Sequence, residues 1–256
     1  MLETATDLTF YLAAVPAVIL LGISKGGFAG VGMIALPMMA LATSPLEAAA
    51  IMLPILVVQD AVSLLSYRKT WDGWNLGALL PGAVAGILLG YLLAASVSDA
   101  MVALMVGIVS IAFGLRRLFI ERGGAGPAVA RPKAVFGFLC GAGSGFTSMI
   151  AHAGGPPFQM FVLPQRLSRD IFVGTSVAFF AAVNLIKVPP YFLLGQFTRH
   201  NLIASATLMP LAIVSTFAGI WLVRRTSADR FYTIIYLLMV AIGIKLSFDG
   251  IRALYL

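Results

Sequence analysis

The chain has 256 residues, 60% of them hydrophobic and only 11% charged, a balance that does not fit an ordinary soluble domain. Its 17 Lys and Arg against 10 Asp and Glu give a formal charge of +7, but the basic residues lie in short loops between apolar runs, which is a membrane pattern and excludes nucleic acid as a partner. The single cysteine, Cys140, excludes an intramolecular disulfide and any cysteine-based metal site.

Along the chain, the amino terminus MLETATDLTF carries Glu3 and Asp7 where a cleaved leader needs positive charge, so it is expected to be retained. Apolar runs follow at 46–66, 77–97, 100–120, 170–193, 202–222 and 228–250, each long enough as a helix for a hydrocarbon core of about 30 Å. Two further runs, 8–42 and 134–165, are broken near their middles at Lys25-Gly26-Gly27 and Gly154-Gly155-Pro156-Pro157. As a helix the first would measure about 52 Å, too long for one crossing and too short for two with a turn. Both are therefore expected to be re-entrant hairpins that break at the glycines and return to their own side. The fold class is an all-α polytopic bundle.

The basic residues discriminate between topologies. If the two broken runs crossed simply, the flanking charges would divide nine against five. With re-entrant hairpins, Arg68, Lys69, Arg116, Arg117, Arg122, Arg131, Lys133, Arg166, Arg169, Arg224, Arg225 and Arg230 share one face, and only Arg199 and Arg252 lie opposite. Twelve against two is the stronger bias. It makes the loops at 67–75, 121–133, 165–170 and 223–230 cytoplasmic and turns both termini outward.

A shift of 127 residues lays Ile23-Ser24-Lys25-Gly26-Gly27 over Ile150-Ala151-His152-Ala153-Gly154 and Leu36-Pro37 over Leu163-Pro164. With small further shifts Asp60 meets Asn184, Pro81 meets Pro210 and Gly90 meets Gly219. The chain thus reads as one transporter domain over 1–256, with repeats at about 8–120 and 134–252 and a Gly/Pro-rich linker at 121–133. One hairpin plus three spans is an odd number of crossings, so the second half is expected upside down relative to the first, the inverted-repeat plan of many secondary transporters.

The segments Gly22-Ile-Ser-Lys-Gly-Gly-Phe-Ala-Gly-Val-Gly-Met-Ile-Ala-Leu-Pro37 and Gly141-Ala-Gly-Ser-Gly-Phe-Thr-Ser-Met-Ile-Ala-His-Ala-Gly-Gly-Pro-Pro157, with Leu163-Pro-Gln-Arg166, resemble the sulfite exporter TauE/SafE family of membrane transporters. The likeness covers nearly the whole chain. It implies a cytoplasmic-membrane carrier for sulfite, a sulfonate or a related organosulfur anion. Where family members commonly have three successive glycines, the first module reads Gly30-Val-Gly32.

Lys25 is the leading site candidate, because an ammonium inside an apolar run is costly unless it meets water, a carboxylate or an anion. The glycines after it would let a second half-helix begin there, its positive end aimed at the same spot. His152 is its equivalent in the other half, so the expected substrate site is Lys25, Gly26, Gly27, His152, Gly154 and Gly155, with His152 protonation as one route for coupling anion movement to protons. Asp60, Asn184 and Lys187 are expected as polar support or coupling groups, Lys187 beside a helix broken at Pro189-Pro190 and an ion pair between Lys187 and Asp60 left open. Lys245 is expected to snorkel and His200 to be solvated.

Gly141-Ala-Gly143-Ser-Gly145 fails as a dinucleotide loop, Ser144 fits no nucleophile motif, and no Walker loop occurs. The reading is therefore a gradient-driven secondary transporter with no catalytic residues, no cofactor and no metal, its partners a small anion and the lipid bilayer. Met33, Met38 and Met39 read as packing. An anion channel is the rival reading, a membrane enzyme a weaker one. Gly82, Gly86 and Gly90 mark one helix face for close packing, internal by preference, with a homodimer seam as the alternative.

Overall fold

A computed structural model of the chain describes residues 8–28, 31–93 and 131–255, with scattered positions between 98 and 118. The run at 100–120 and the linker at 121–130 fall largely outside the described residues. The described elements are all helical. Helix α1 is Leu8–Gly26; a 3-10 turn, Val31–Ile34, leads into the short α2, Ala35–Met39. Then come α3 (Pro45–Tyr67), α4 (Gly73–Leu93), α5 (Ala134–Ala151), α6 (Gly155–Val162), a 3-10 turn at Leu163–Gln165, α7 (Arg169–Leu193), α8 (Arg199–Arg225) and α9 (Ala228–Tyr255). Among the described residues six helices, α1, α3, α4, α5, α7 and α8, are long and apolar enough to cross a membrane. The chain is a multi-pass membrane protein.

Local chemistry places the ends. Ser44 caps α3 by accepting from the Glu47 N–H at 3.2 Å, and Thr198 caps α8 by accepting from Asn201 at 3.1 Å. Asp72 accepts from the Asn75 N–H at 2.8 Å, which starts α4 at Gly73, four residues before the apolar run that predicts it. Helix α7 runs unbroken through Pro189 and Pro190, so the expected break there is absent; the two prolines cost the ladder donors to the Leu185 and Ile186 carbonyls without ending the helix.

Cross-helix contacts give each helix its direction. Tyr11 donates to Thr207, Ser215 to the Val18 carbonyl, and Gly26 lies on Gly219 and Ile220, so α1 and α8 run parallel. Ser205 donates to the Ile51 carbonyl and Arg224 to that of Ser66, so α3 runs the same way. Gly137, Gly141 and Gly145 of α5 meet Ala78, Leu79 and Ala83 of α4, again in parallel. The loops after α3, before α7 and after α8 share one end of the bundle, where Arg131 pairs with Asp72 at 3.0 Å and Arg169 donates to the Thr226 carbonyl at 2.5 Å. Arg68, Lys69, Arg166, Arg224 and Arg225 belong to the same end, called here the basic end. At the other, His200 pairs with Glu47 at 3.6 Å and is half-buried, not simply solvated.

The glycine stripe Gly82, Gly86, Gly90 is consumed inside the chain. A Cβ on Gly82 or Gly86 would run into the carbonyls of Phe138 and Ala142 of α5, while the glycines of α5 approach the carbonyls of α4. Two small-residue faces thus let two backbones meet, as expected for helices that pack in lipid by shape. Helix α9 lies antiparallel to the described part of 100–118, with Gly250 at Ala100 and Leu104 and Gly243 at Gly107 and Ile111. On α9, Lys245 is ion-paired to Asp249 one turn on, not merely snorkelling.

Candidate functional site

Both glycine-broken runs turn back, and both turns lie beyond the middle of the bundle. Helix α1, about 28 Å long by its 19 residues, ends at Gly26. Gly27, at φ 139°, reverses the chain against Val173 and Val223, within about one turn of the basic end. The carbonyls left open there are met from α3: Ser63 donates to Lys25 O at 3.1 Å and Tyr67 to Gly26 O at 3.0 Å. Helix α5 runs the opposite way and ends at Ala151, where His152 takes a left-handed φ of 50° and its N–H returns to the Ser148 carbonyl. Ser144 then donates to Gly154 O at 2.6 Å.

These geometries correct two expectations. The second break falls at His152–Gly154, ahead of Gly154-Gly155-Pro156-Pro157, because prolines fit the first turn of a helix and start α6 instead. Lys25 also does not stand at the start of a half-helix but in the last turn of α1, where a cation meets the negative end of the dipole. The amino terminus of α6 has little to offer an anion, since Pro156 and Pro157 carry no N–H.

From these turns the side chains reach back to mid-depth, as helical side chains lean toward their own amino termini. Lys25 Nζ lies 2.5 Å from Asp60 Oδ1, and Asn184 donates to Asp60 Oδ2 at 2.6 Å. Lys187, wholly buried, places Nζ 2.7 Å from His152 Nδ1 and donates to the Ser148 carbonyl at 3.1 Å. His152 Nε2 lies 3.2 Å from the Ala49 carbonyl, which can only accept, so Nε2 carries the proton. Lys25 also sits 5.7 Å from the centre of the Phe180 ring.

Between the two turns is a cavity of about 80 Å³ that Lys25, Gly27 and Ser24 line from one side and His152, Ser148 and Gly155 from the other. Leu56, the central residue of α3, and Phe180, beside the centre of α7, fix its depth midway through the bundle. Lys25 and His152 thus face a small hollow of mixed polarity, with Asp60 behind the first and Lys187 behind the second.

The model of one protein family, Sulfite exporter TauE/SafE, matches residues 14–246, nearly the whole chain. The chain belongs to that family. No curated protein and no solved structure matches it. In this TauE/SafE protein the matched span takes in both turns and every residue around the cavity. Of the residues singled out from the sequence, Lys25, Gly27, His152, Gly155 and Asn184 line the cavity. Gly26 does not: it is packed on the backbone of Gly219 and Ile220. Gly154 is held against Ser144. Asp60 lies behind Lys25 and Asn184, and Lys187 behind His152, so Lys187 pairs with the imidazole and not with Asp60.

Sequence reasoning passed over Ser24, Ser148, Ser176 and Phe180. The last two were findable: Ser176, Phe180 and Asn184 recur every fourth residue and form one face of α7. Ser148 contributes its backbone carbonyl to Lys187, and a backbone atom leaves no mark in a residue pattern.

Proposed function

We propose that this TauE/SafE protein is a secondary carrier that moves a small sulfur-containing anion, such as sulfite or a sulfonate, across the cytoplasmic membrane by alternating access. The observation that carries the reading is the mid-depth cavity with Lys25 on one wall and His152 on the other. Lys25 is the cation that meets the anion. Gly27 and Gly155 let the backbone approach it, and Gly26 and Gly154 hold the two turns in place.

Helix directions support the inverted plan. In the first half α1 and α3 run toward the basic end and α4 away from it; in the second, α5 and α7 run away from it and α8 toward it. The second half is the first turned over, with a site between two broken elements, the layout that lets one half rock against the other. The basic end faces the cytoplasm, where Lys and Arg collect.

The test is uptake of labelled anions by purified protein in liposomes. Saturable uptake with counterflow is expected for sulfite or a sulfonate, with most of it lost in Lys25→Ala and reduced in His152→Ala, each normalised to folded protein. Full uptake by Lys25→Ala would overturn the assigned site, and uptake without counterflow would make the protein a pore.

A further inference from the structure

We infer that Asp60 is a built-in competitor of the transported anion for Lys25: it is the counter-ion of the ammonium while the site is empty, and it weakens the hold on the anion once the site is filled. The inference rests on the carrier reading above.

Both oxygens of the Asp60 carboxyl accept, Oδ1 from Lys25 at 2.5 Å and Oδ2 from the Asn184 amide at 2.6 Å, the pattern of an ionised carboxylate paired with an ammonium. The pair is open on one side only. The Lys25 side chain is 12% exposed and lines the cavity, whereas that of Asp60 is 4% exposed and does not line it. An anion in the cavity therefore reaches Lys25 from the front while Asp60 keeps it from behind. Asn184 holds the carboxylate in that position. The turn that carries Lys25 is tied to α3, the helix of Asp60, by Ser63 and Tyr67, so the two residues stay side by side.

An ammonium at mid-depth needs a counter-charge, and Asp60 supplies it in the empty state. A bound anion is then the second negative charge on one ammonium, about 4 to 5 Å from the first by hydrogen-bond lengths. At that separation the two repel even where the surroundings are partly polar. Part of the attraction of Lys25 is thus satisfied before the cargo arrives, and a cargo held by an unshared ammonium would leave more slowly. The other titratable side chain lining the cavity is His152, with Lys187 of α7 behind it. Both are present whether residue 60 is Asp or Asn, so their charge state bears equally on both proteins.

Asp60→Asn removes the charge and keeps the shape, since the amide oxygen can still accept from Lys25. Labelled methanesulfonate, which stays singly charged, is to be bound at equilibrium to the purified full-length protein in detergent, and melting followed with and without it. Asp60→Asn is expected to bind methanesulfonate about tenfold more tightly than the wild type, or better. Its melting temperature is expected to rise more on adding the anion. Lys25→Met/Asp60→Asn is expected to lose the gain.

A merely structural Asp60 predicts the opposite, weaker binding once the pair is disturbed. An Asp60→Asn protein that folds and binds no more tightly than a wild type that does bind overturns the inference, as does a gain that survives in the double variant. An Asp60→Asn protein that folds only when purified with methanesulfonate supports it, because the anion has taken the place of the carboxylate; one that methanesulfonate does not restore overturns it. A wild type and a variant that both fold and bind neither methanesulfonate nor sulfite overturn the carrier reading itself.

Discussion

Lys25 and Lys187 are both buried near mid-depth, yet they are stabilised differently. Lys25 has a carboxylate at 2.5 Å and a side chain 12% exposed to the cavity, whereas Lys187 is sealed in with an imidazole. Breaking a buried ion pair by removing one member leaves the other charge stranded, while replacing both with apolar groups is often tolerated. Lys25→Met is therefore expected to lower stability by about 3 kcal/mol, and Lys25→Met/Asp60→Leu to recover most of it. Thermal melting in detergent reads both. A double variant no more stable than the single would show that Asp60 is held chiefly by Asn184. The Lys187 to Asp60 pair left open from the sequence is absent, because Lys187 Nζ is taken up by the His152 ring and the Ser148 carbonyl.

The helix pair α4–α5 depends on small residues whose positions are not interchangeable. At Gly86 an added side chain meets the backbone of Ala142 and Phe146, which cannot give way without moving a helix, whereas at Gly77 nothing lies within 4 Å. Gly86→Leu is expected to destabilise by about 3 kcal/mol or more, and Gly77→Ala to be neutral or stabilising by up to about 1 kcal/mol. The two variants should separate cleanly by melting temperature and by monodispersity on size exclusion. If Gly86→Leu melted with the wild type, the close approach of α4 and α5 would be wrong. The sequence shows this stripe as a period of four but not the helix that meets it, since Gly141-Ala-Gly143-Ser-Gly145 reads first as a failed nucleotide loop. The positions of the breaks were legible to within a few residues. His152 ends α5 because its left-handed backbone is held by Ser148 and Thr147, whereas the prolines that suggested the break begin the next helix.

At the scale of the molecule, the parallel and antiparallel registers bring the loops after α3 and α8 and the loop before α7 to one end and leave α9 to finish at the other. A reporter fused after Leu256 is thus expected to read out from the non-cytoplasmic side, and one inserted in the loop at 226–227 from the cytoplasm. The opposite pattern would turn the whole arrangement over.

Whereas the family showed only in the particular residues of the two Gly-rich segments, hydropathy and glycine placement alone were enough to specify a membrane bundle, two broken runs and a lysine and a histidine within apolar sequence. The reason is that the cost of transferring each segment to lipid is local and additive along the chain. Which charge partners which was decided only by the tertiary structure. It depends on helix register across distances the sequence does not encode one residue at a time: about a turn of slip along α7 would put Lys187 where Asn184 now meets Asp60.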